Sequence, residues 1–552
     1  MSVSEPLSHF VDDVLGYLHE THPTNATFDG VHTHDDLLED RSQQGIESET
    51  RTLAGYLRRL REIQSNEMTP MERLEHRMLG DHLRARVLDL EDVRMWERNP
   101  QVYGDLLASS IASQALFTHA PAPERARRVL SKLRQTPRVI QAARSNIKDP
   151  PGIFVKVGIE TMKGAFTFID KDLPRAFSDV DDLHLLGDLA DAQTEAVDAI
   201  ASYITYLQQD VAPRARSSFR LGRDLFEQKV RLEEGVSVPV ERLLAIALRE
   251  LRATQEAFRS IAGRINGGDP LETWARTKEA HPAPGELVDL GRSQLDDLKT
   301  FLERQDVISV PPGESVTVAA TPEFFRWSFA SMWAPGPFES KPSSAYYYLT
   351  DADPSWPAER QHEHLRDYNS PTLWSISIHE VYPGHFLHYQ HLRRVESKVR
   401  KSILFAPASF VEGWAHYCEQ MMIEAGFGHR DYGVQLGQLA EALIRLVRVI
   451  VGIRLHTEDL SVEQGVRLFR EEAYMEEAGA RREAERGTFD PTYLVYAIGK
   501  LMLLKLRQDV KQQQGKAFSL KAFHDSLLGN GTAPFWLHRE LMLGANSGDV
   551  LD

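Results

Sequence analysis

The sequence predicts a mainly helical protein with one small β-sheet, and three observations support this fold class. Residues 1–300 are rich in Leu, Ala, Arg, Glu and Gln, which favour helices, and contain few β-branched runs. Turn signals such as Asn99-Pro100 and Asp149-Pro150-Pro151-Gly152 divide this region into segments of helical length. β-Prone residues are concentrated in residues 305–350 instead. The sheet is therefore expected there, with helices on both sides of it.

Helix starts can be read on both sides of the predicted sheet. Thr69 and Glu72 have the spacing of a capping box, and Pro70 between them fits the first helical position. After Pro371, good helix formers again dominate to the C-terminus. The sheet is thus expected to interrupt an otherwise helical chain once.

The predicted sheet has about three strands. They cover residues 306–310, residues 315–319, which alternate apolar and polar side chains, and residues 344–350. A strand at the edge of a sheet can pair with an extended peptide, so Tyr346 and Tyr347 are candidate substrate-binding residues. The alternative is a half-buried strand whose tyrosines only pack.

The composition argues against several classes of protein. The 552 residues include 64 Lys and Arg against 80 Asp and Glu, a net charge of −16, which argues against nucleic acid or an anionic membrane as the main partner. Cys418 is the single cysteine, so no intrachain disulfide can form. The N-terminus lacks the basic start and apolar stretch of a signal peptide, and no apolar run approaches the ~18 residues of a membrane span. We therefore expect a cytoplasmic protein with no membrane partner.

His379-Glu380, followed by His385, suggests a zinc hydrolase site. Two neutral imidazoles can bind the metal, and a glutamate next to the first histidine can accept a proton from water. In the usual motif the second histidine follows at i+4, on the same helical face, but Pro383 occupies that position here. His385 lies at i+6, which is about 240° around an ideal helix.

Pro383-Gly384 can correct this geometry. Proline cannot donate a hydrogen bond to the His379 carbonyl group, and glycine can adopt unusual dihedral angles. A kink at these two residues would bring His385 back over His379. The alternative is a helix that ends at Pro383-Gly384, with His385 on the next helix as an ordinary polar residue.

A second motif, around Glu412, supplies candidates for a third metal ligand. Glu412, His416 and Glu419 follow one another at i, i+4 and i+7, on one face of a helix. Phe410 and Trp414 suggest that this helix is buried, and a buried carboxylate needs a partner such as a metal ion. The alternative is a surface helix stabilised by salt bridges.

Together the two motifs resemble the DUF885 family of zincin-like metallopeptidases. The resemblance rests on His379-Glu-Val-Tyr-Pro-Gly-His385 and on Glu412-Gly-Trp-Ala-His-Tyr-Cys-Glu419, with supporting matches between residues 219 and 500. It implies a large helical architecture like that of the oligopeptidase-type zincins, with the small sheet beside a deep active-site channel. It also implies one zinc ion per chain on His379, His385 and Glu412, with Glu380 as the general base. His416 and Glu419 would then form a second layer that supports the ligands.

Further candidates lie in the C-terminal part of the resemblance. Tyr496 matches the family's spacing between a tyrosine and a glycine, here Gly499, and its phenol could donate a hydrogen bond to an oxyanion. His456 and Arg486 are alternatives for that role, and Tyr496 would then only pack. Arg448 is a candidate for binding a peptide carboxylate. Gly499 would let another backbone or the substrate approach closely.

The sequence therefore predicts a zinc-dependent hydrolase that cleaves small or extended peptides. Residues 1–300 would form a helical region and residues 301–552 a metal-binding catalytic region, together one compact body. A zinc hydrolase of another amide or an ester is the alternative within this class. A helical binding protein with a residual metal site is the alternative outside it. Glu380 argues against the binding protein, because a structural zinc site has no use for that carboxylate.

Overall fold

A computed structural model describes residues 6–64, 68–321, 330–339, 344–544 and 548–551. Helices account for 72% of the structure, and the described strands form one three-stranded sheet. The predicted mainly helical class with a small sheet is confirmed. No helix within these ranges is long and apolar enough to cross a membrane.

The chain is helical up to the sheet and again after it. The helices before the sheet are α1 (Leu7–Thr21), α2 (Pro23–Asp29), α3 (Gln43–Glu62), α4 (Pro70–Leu88), α5 (Met95–Arg98), α6 (Gln101–Leu116), α7 (Ala122–Asn146), α8 (Gly152–Thr167), α9 (Leu173–Ala176), α10 (Leu183–Tyr206), α11 (Arg223–Glu234), α12 (Val240–Asn266), α13 (Pro270–Thr277) and α14 (Leu287–Gln305). The helices after the sheet are α15 (Ala358–Asp367), α16 (Ser370–Glu380), α17 (His385–Leu392), α18 (Lys398–Lys401), α19 (Ala408–Glu424), α20 (Tyr432–Thr457), α21 (Val462–Glu472), α22 (Glu477–Phe489), α23 (Val495–Gln514), α24 (Leu520–Gly529) and α25 (Phe535–Leu543).

Several helices start at a side chain that accepts a hydrogen bond from a backbone N–H group. The capping box predicted at α4 is present: the Thr69 hydroxyl group accepts the N–H of Glu72, and the Glu72 carboxylate accepts the N–H of Thr69. Asn369 caps α16 in a similar way by accepting the N–H of Thr372. These caps satisfy N–H groups that have no partner inside the helix.

The sheet differs from its prediction in two strands. It consists of β1 (Val316–Ala320), β2 (Ala330–Trp333) and β3 (Ala345–Leu349) in the order β1-β3-β2. β3 pairs in parallel with β1 and antiparallel with β2. The expectation that the tyrosine strand lies at an edge is wrong, because both sides of β3 are occupied. The short strand β2 was not predicted, because Ala-Ser-Met-Trp has no regular apolar and polar alternation.

The other difference is at residues 306–310, which form an irregular segment without strand pairing. The strand predicted there is therefore wrong. Side chains from later helices hold this segment instead. The Ser309 N–H and hydroxyl groups both donate to Asp525, and His524 Nδ1 donates to the Val307 carbonyl group. Side chains thus provide the hydrogen bonds that a sheet would otherwise supply.

The two faces of the sheet pack against different hydrophobic cores. Tyr347 and Leu349 belong to the largest core, whereas Tyr346 and Tyr348 face the core of α6 to α10. The Tyr347 hydroxyl group lies 3.2 Å from Ser377 Oγ, which ties the sheet to α16. The sheet therefore lies between the N-terminal bundle and the helices that carry the predicted site.

The boundaries between the hydrophobic cores do not coincide with a division of the chain at residue 300. The largest core includes residues of α11, α12 and α14 together with those of α16, α19, α20 and α23. A second core occupies α6 to α10, and a third joins α1, α3 and α4 to residues 399–405 and 533–537. Residues 223–305 therefore share a core with the site-bearing helices.

Two glycines let α19 and α23 approach closely. A Cβ atom added to Gly413 would lie 2.6 Å from Gly499 Cα, and one added to Gly499 would lie 1.9 Å from the Ser409 carbonyl oxygen. The close approach expected at Gly499 is confirmed. It places Glu412, next to Gly413, near the helix that carries Tyr496.

We predict that Gly499→Ala destabilises the protein by about 1–3 kcal/mol, because the added methyl group forces the two backbones apart. Gly263→Ala is the matched control, since Gly263 lies inside α12 with no atom within 4 Å of its added Cβ. The control should be neutral or stabilising by about 0.5–1 kcal/mol, as expected for Gly→Ala in a helix. Urea unfolding of both variants measures this, and equal stabilities would contradict the packing argument.

Candidate functional site

A four-residue turn, residues 381–384, separates the two predicted histidine ligands. α16 ends at Glu380 and α17 begins at His385. The Gly384 N–H donates to the Ile378 carbonyl group. A Cβ atom on Gly384 would lie 1.7 Å from the His379 carbonyl oxygen, so no residue with a side chain fits there. The turn is thus the kink that the sequence requires to bring His385 back to His379.

Side chains of α19 contact the backbone of this turn. Trp414 is fully buried, and its Nε1–H donates to the Pro383 carbonyl group at 3.0 Å. The Cys418 thiol also contacts that carbonyl group, at 3.7 Å. The contacts between the two motifs fix the helix of Glu412 relative to both histidines.

The two histidines and Glu412 converge. Glu412 Oε2 lies 3.3 Å from His379 Nε2 and 3.5 Å from His385 Nε2. The two imidazole rings are 4.8 Å apart between centroids and nearly perpendicular, at 86°. One ligand atom from each residue lies within 4.8 Å of the other two. We call these three residues the His-His-Glu cluster.

A second layer orients His379. Its Nδ1 lies 2.8 Å from Glu419 Oε1, so the Nδ1–H is donated to the carboxylate and Nε2 is directed into the cluster. His416 Nδ1 lies 3.2 Å from the other Glu419 oxygen, and Arg445 Nη2 lies 3.4 Å from Oε1. A carboxylate behind a ligand histidine is the usual way to fix its tautomer in metal sites.

Glu380, the last residue of α16, lies between the cluster and the outer strand β2 of the sheet. It accepts a hydrogen bond from the backbone N–H of Met332 in β2. Burial raises its pKa, and the Glu412 carboxylate adds to this, whereas the two histidines and the Met332 N–H oppose it. The carboxyl group is therefore a stronger base than an exposed glutamate.

The electrostatics of the cluster favour a cation. Burial disfavours the charged form of His379, but hydrogen bonds to Glu412 and Glu419 outweigh it and raise its pKa to about 9. Desolvation disfavours the charged form of the partly buried Glu412 carboxyl group, yet the two histidines hold its pKa well below the usual range. A set of two imidazoles and one carboxylate that attracts positive charge is suited to zinc.

Tyr496 lies next to the cluster. Its ring is 6.4 Å from the His379 ring, at 22°. Burial and the nearby Glu412 carboxylate raise the pKa of Tyr496, so its hydroxyl group stays protonated. Arg486 donates a hydrogen bond to Tyr496 and pairs with Asp490 at 2.9 Å. Arg486 is thus a neighbour of the phenol.

Arg448 and His456 have other partners. Arg448 makes two hydrogen bonds to Glu483, at 2.7 and 2.9 Å, with its guanidinium group 4.9 Å from the centre of the Tyr496 ring. His456 donates to the Gly487 carbonyl group, and its ring packs against Phe219 and Phe226. The contacts of His456 are those of a core histidine.

The two tyrosines predicted to bind substrate lie in the packing of the sheet. Tyr347 is fully buried beneath α16, and Tyr346 stacks on Tyr348 at 5.4 Å on the opposite face. Their proposed pairing with a peptide was based on an edge position, and β3 is the central strand. That part of the prediction is therefore wrong.

Tyr389, a neighbour of Glu412, was not predicted from the sequence. It follows His385 by four residues on α17, so both side chains lie on one helical face. Burial raises its pKa to about 12, with further contributions from the Asp29 and Glu412 carboxylates. The i, i+4 spacing from His385 was the signal that could have identified it.

The fold and the site define a mainly helical protein in which a kinked His-Glu motif meets a glutamate on a neighbouring helix. The family model described as "Bacterial protein of unknown function (DUF885)" matches residues 23–542, and the chain belongs to this family. The predicted membership of the DUF885 family is confirmed. No curated protein matches the chain.

Two solved structures share the fold over nearly the whole chain. A protein from Shewanella oneidensis, described as "a putative lipoprotein of unknown function", is 26% identical, with a TM-score of 0.80, 98% of this chain covered and 100% of that one. The protein described as "the putative lipoprotein from Colwellia psychrerythraea" is 19% identical, with a TM-score of 0.80, 96% of this chain covered and 97% of that one. Neither description names an activity, and the cytoplasmic location stays a prediction.

We predict that Glu419→Gln lowers metal affinity by about 10–100-fold without unfolding the protein, because the amide can accept the His379 Nδ1–H but carries no charge. Competition with a chelator of known affinity measures this. Glu424→Gln, on the exposed end of the same helix, is the control. Equal affinities for the two variants would exclude a supporting role for Glu419.

Proposed function

We propose that the protein is a zinc-dependent hydrolase that cleaves peptide bonds, with the zincin-like architecture and substrate channel that this activity needs. The observation that carries the proposal is the convergence of three donor atoms on one point with an uncoordinated glutamate beside them. The carboxylate of Glu412 lies within 3.5 Å of both imidazoles. Such a set leaves a coordination position open, as catalytic zinc sites do and closed structural sites do not.

His379, His385 and Glu412 would hold the metal. Their nitrogens and oxygen suit zinc, and the Glu419 carboxylate behind His379 completes the usual second layer. Zinc bound there would polarise the scissile carbonyl group and lower the pKa of a water molecule. The remaining chemistry belongs to side chains of the chain itself.

Glu380 would act as the general base. Its carboxylate lies beside both histidines, and the Met332 N–H keeps it oriented. With its raised pKa it accepts a proton from the attacking water and then gives that proton to the leaving amine. Its position directly after His379 brings it to the same end of α16 as that ligand.

Tyr496 would stabilise the oxyanion. Its phenol is held next to His379 and receives a hydrogen bond from Arg486. That bond leaves the phenolic proton free to be donated to a developing negative charge. A neutral donor that stays protonated at neutral pH is suited to this role.

The proposed function is tested by digesting a library of unstructured peptides with zinc-loaded protein and identifying the products by mass spectrometry. We expect cleavage that stops on chelation and returns with added zinc. Cleavage only of ester or non-peptide amide substrates in a parallel panel would contradict the peptidase assignment. Zinc-independent cleavage, or none on any substrate, would contradict the hydrolase assignment.

We predict that Glu380→Gln keeps the fold and the bound metal but loses about 10²–10⁴-fold in turnover. The amide has the same shape as the carboxylate and cannot accept the proton. Single-turnover rates on the best library peptide, together with metal content, measure this. Near-normal turnover in Glu380→Gln would show that another group is the base.

We predict that Tyr496→Phe lowers turnover by about 10²–10³-fold with little change in stability, because it removes one donor and little volume. Tyr432→Phe, at the far end of α20, is the control and should keep wild-type turnover. If Tyr496→Phe stays within threefold of wild type, the oxyanion donor lies elsewhere.

A further inference from the structure

Within the described part of the chain, two more groups combine histidines with a carboxylate. One is formed by His32, Asp35 and His119. His32 Nδ1 and His119 Nε2 both contact Asp35 Oδ2, at 2.9 and 3.0 Å. Arg128 already donates to the shared Asp35 oxygen at 2.7 Å. This group is an internal ion-pair network.

The other group is formed by Glu279, His281 and His362, and one ligand atom from each residue lies within 4.8 Å of the other two. His281 Nε2 lies 2.9 Å from His362 Nδ1, and the two rings are inclined at 69°. His362 Nε2 lies 3.3 Å from Glu279 Oε2.

The hydrogen bonds of this group leave one nitrogen without a proton on each neutral histidine. His281 Nδ1 lies 2.9 Å from the Pro282 carbonyl oxygen, which can only accept, so neutral His281 has a bare Nε2. His362 Nδ1 must then donate to that nitrogen, which leaves His362 Nε2 bare as well. The lone pair of His362 Nε2 then faces the Glu279 carboxylate, and both groups are ligands that a divalent cation can share.

The Pro282 carbonyl group acts on His281 as Glu419 acts on His379. In both cases an acceptor at Nδ1 fixes the tautomer and directs Nε2 towards a second imidazole and a carboxylate. Arg366 holds the other Glu279 oxygen, with its Nε 3.1 Å from Oε1, and so turns Oε2 towards His362. The carboxylate is thereby oriented as well.

We propose that Glu279, His281 and His362 bind a second divalent cation at the protein surface. Two imidazoles and one carboxylate suit zinc, and Ni²⁺ or Cu²⁺ would also bind. About half of the Glu279 and His362 side-chain surface is exposed, so solvent can complete the coordination sphere and both side chains can adjust.

The position of this site gives the cation a structural effect. Glu279 and His281 lie in the loop after α13, and His362 lies on α15. The Ala280 carbonyl group accepts the N–H of Ser370, the first residue of α16. A bound cation would therefore link this loop and α15 at the start of the helix that carries His379 and Glu380, and would stabilise that end of it.

Metal counting by equilibrium dialysis of chelator-stripped protein against Zn²⁺ tests this inference independently of activity. We expect two equivalents per chain in the wild type and one in His362→Ala. Glu363→Ala, which removes the exposed neighbouring carboxylate, should keep two. Zn²⁺ should also raise the melting temperature of Glu412→Gln, which lacks the other site, and should raise it less when His281→Ala is added.

Absence of the surface site and absence of the catalytic site give different zinc contents in these variants. Equal zinc content in His362→Ala and wild type would overturn the surface site. A wild type that binds one equivalent, lost in His362→Ala and kept in Glu412→Gln, would support the surface site and contradict the catalytic one. No zinc-dependent rise in the melting temperature of Glu412→Gln would overturn the stabilising link to α16.

Discussion

The contact between Gly384 and the His379 carbonyl group is the constraint on which the candidate site depends. Without a side chain at residue 384, the backbone can turn back after four residues and start α17 at His385. Any Cβ there would collide with that carbonyl oxygen and separate the two histidines. The hydrogen bond from Trp414 to Pro383 and the glycine contact between α19 and α23 then fix Glu412 and Tyr496 around the same point.

The site concentrates buried charge that would be unfavourable without compensation. Glu380, Glu412 and Glu419 are carboxylates within one region, balanced by two imidazoles and by Arg445, which also pairs with Glu441. Removing one partner from such a network leaves a buried charge unpaired, which commonly costs about 3–5 kcal/mol. A dication between the histidines and Glu412 would meet the demand for positive charge that raises the pKa of His379.

Local patterns in the sequence predicted those structural features that depend only on residues close together in the chain. The helical class and the caps at Thr69 follow from propensity and spacing, and the two motifs identified the residues that converge. The order of the strands depends on long-range pairing, so the central position of Tyr347 could not be read from its strand. The same holds for His456, whose partners Phe219 and Gly487 are distant in sequence. Tyr389, in contrast, follows His385 by four residues, and that spacing could have identified it.

An anomalous difference map collected at the zinc absorption edge from crystals of the zinc-loaded protein tests the central claim most directly. The account predicts a peak about 2.0–2.2 Å from His379 Nε2, His385 Nε2 and a Glu412 carboxylate oxygen, with Glu380 outside the coordination sphere. A map without a peak there, or with zinc bound by Glu380 in place of one of the three, would contradict it.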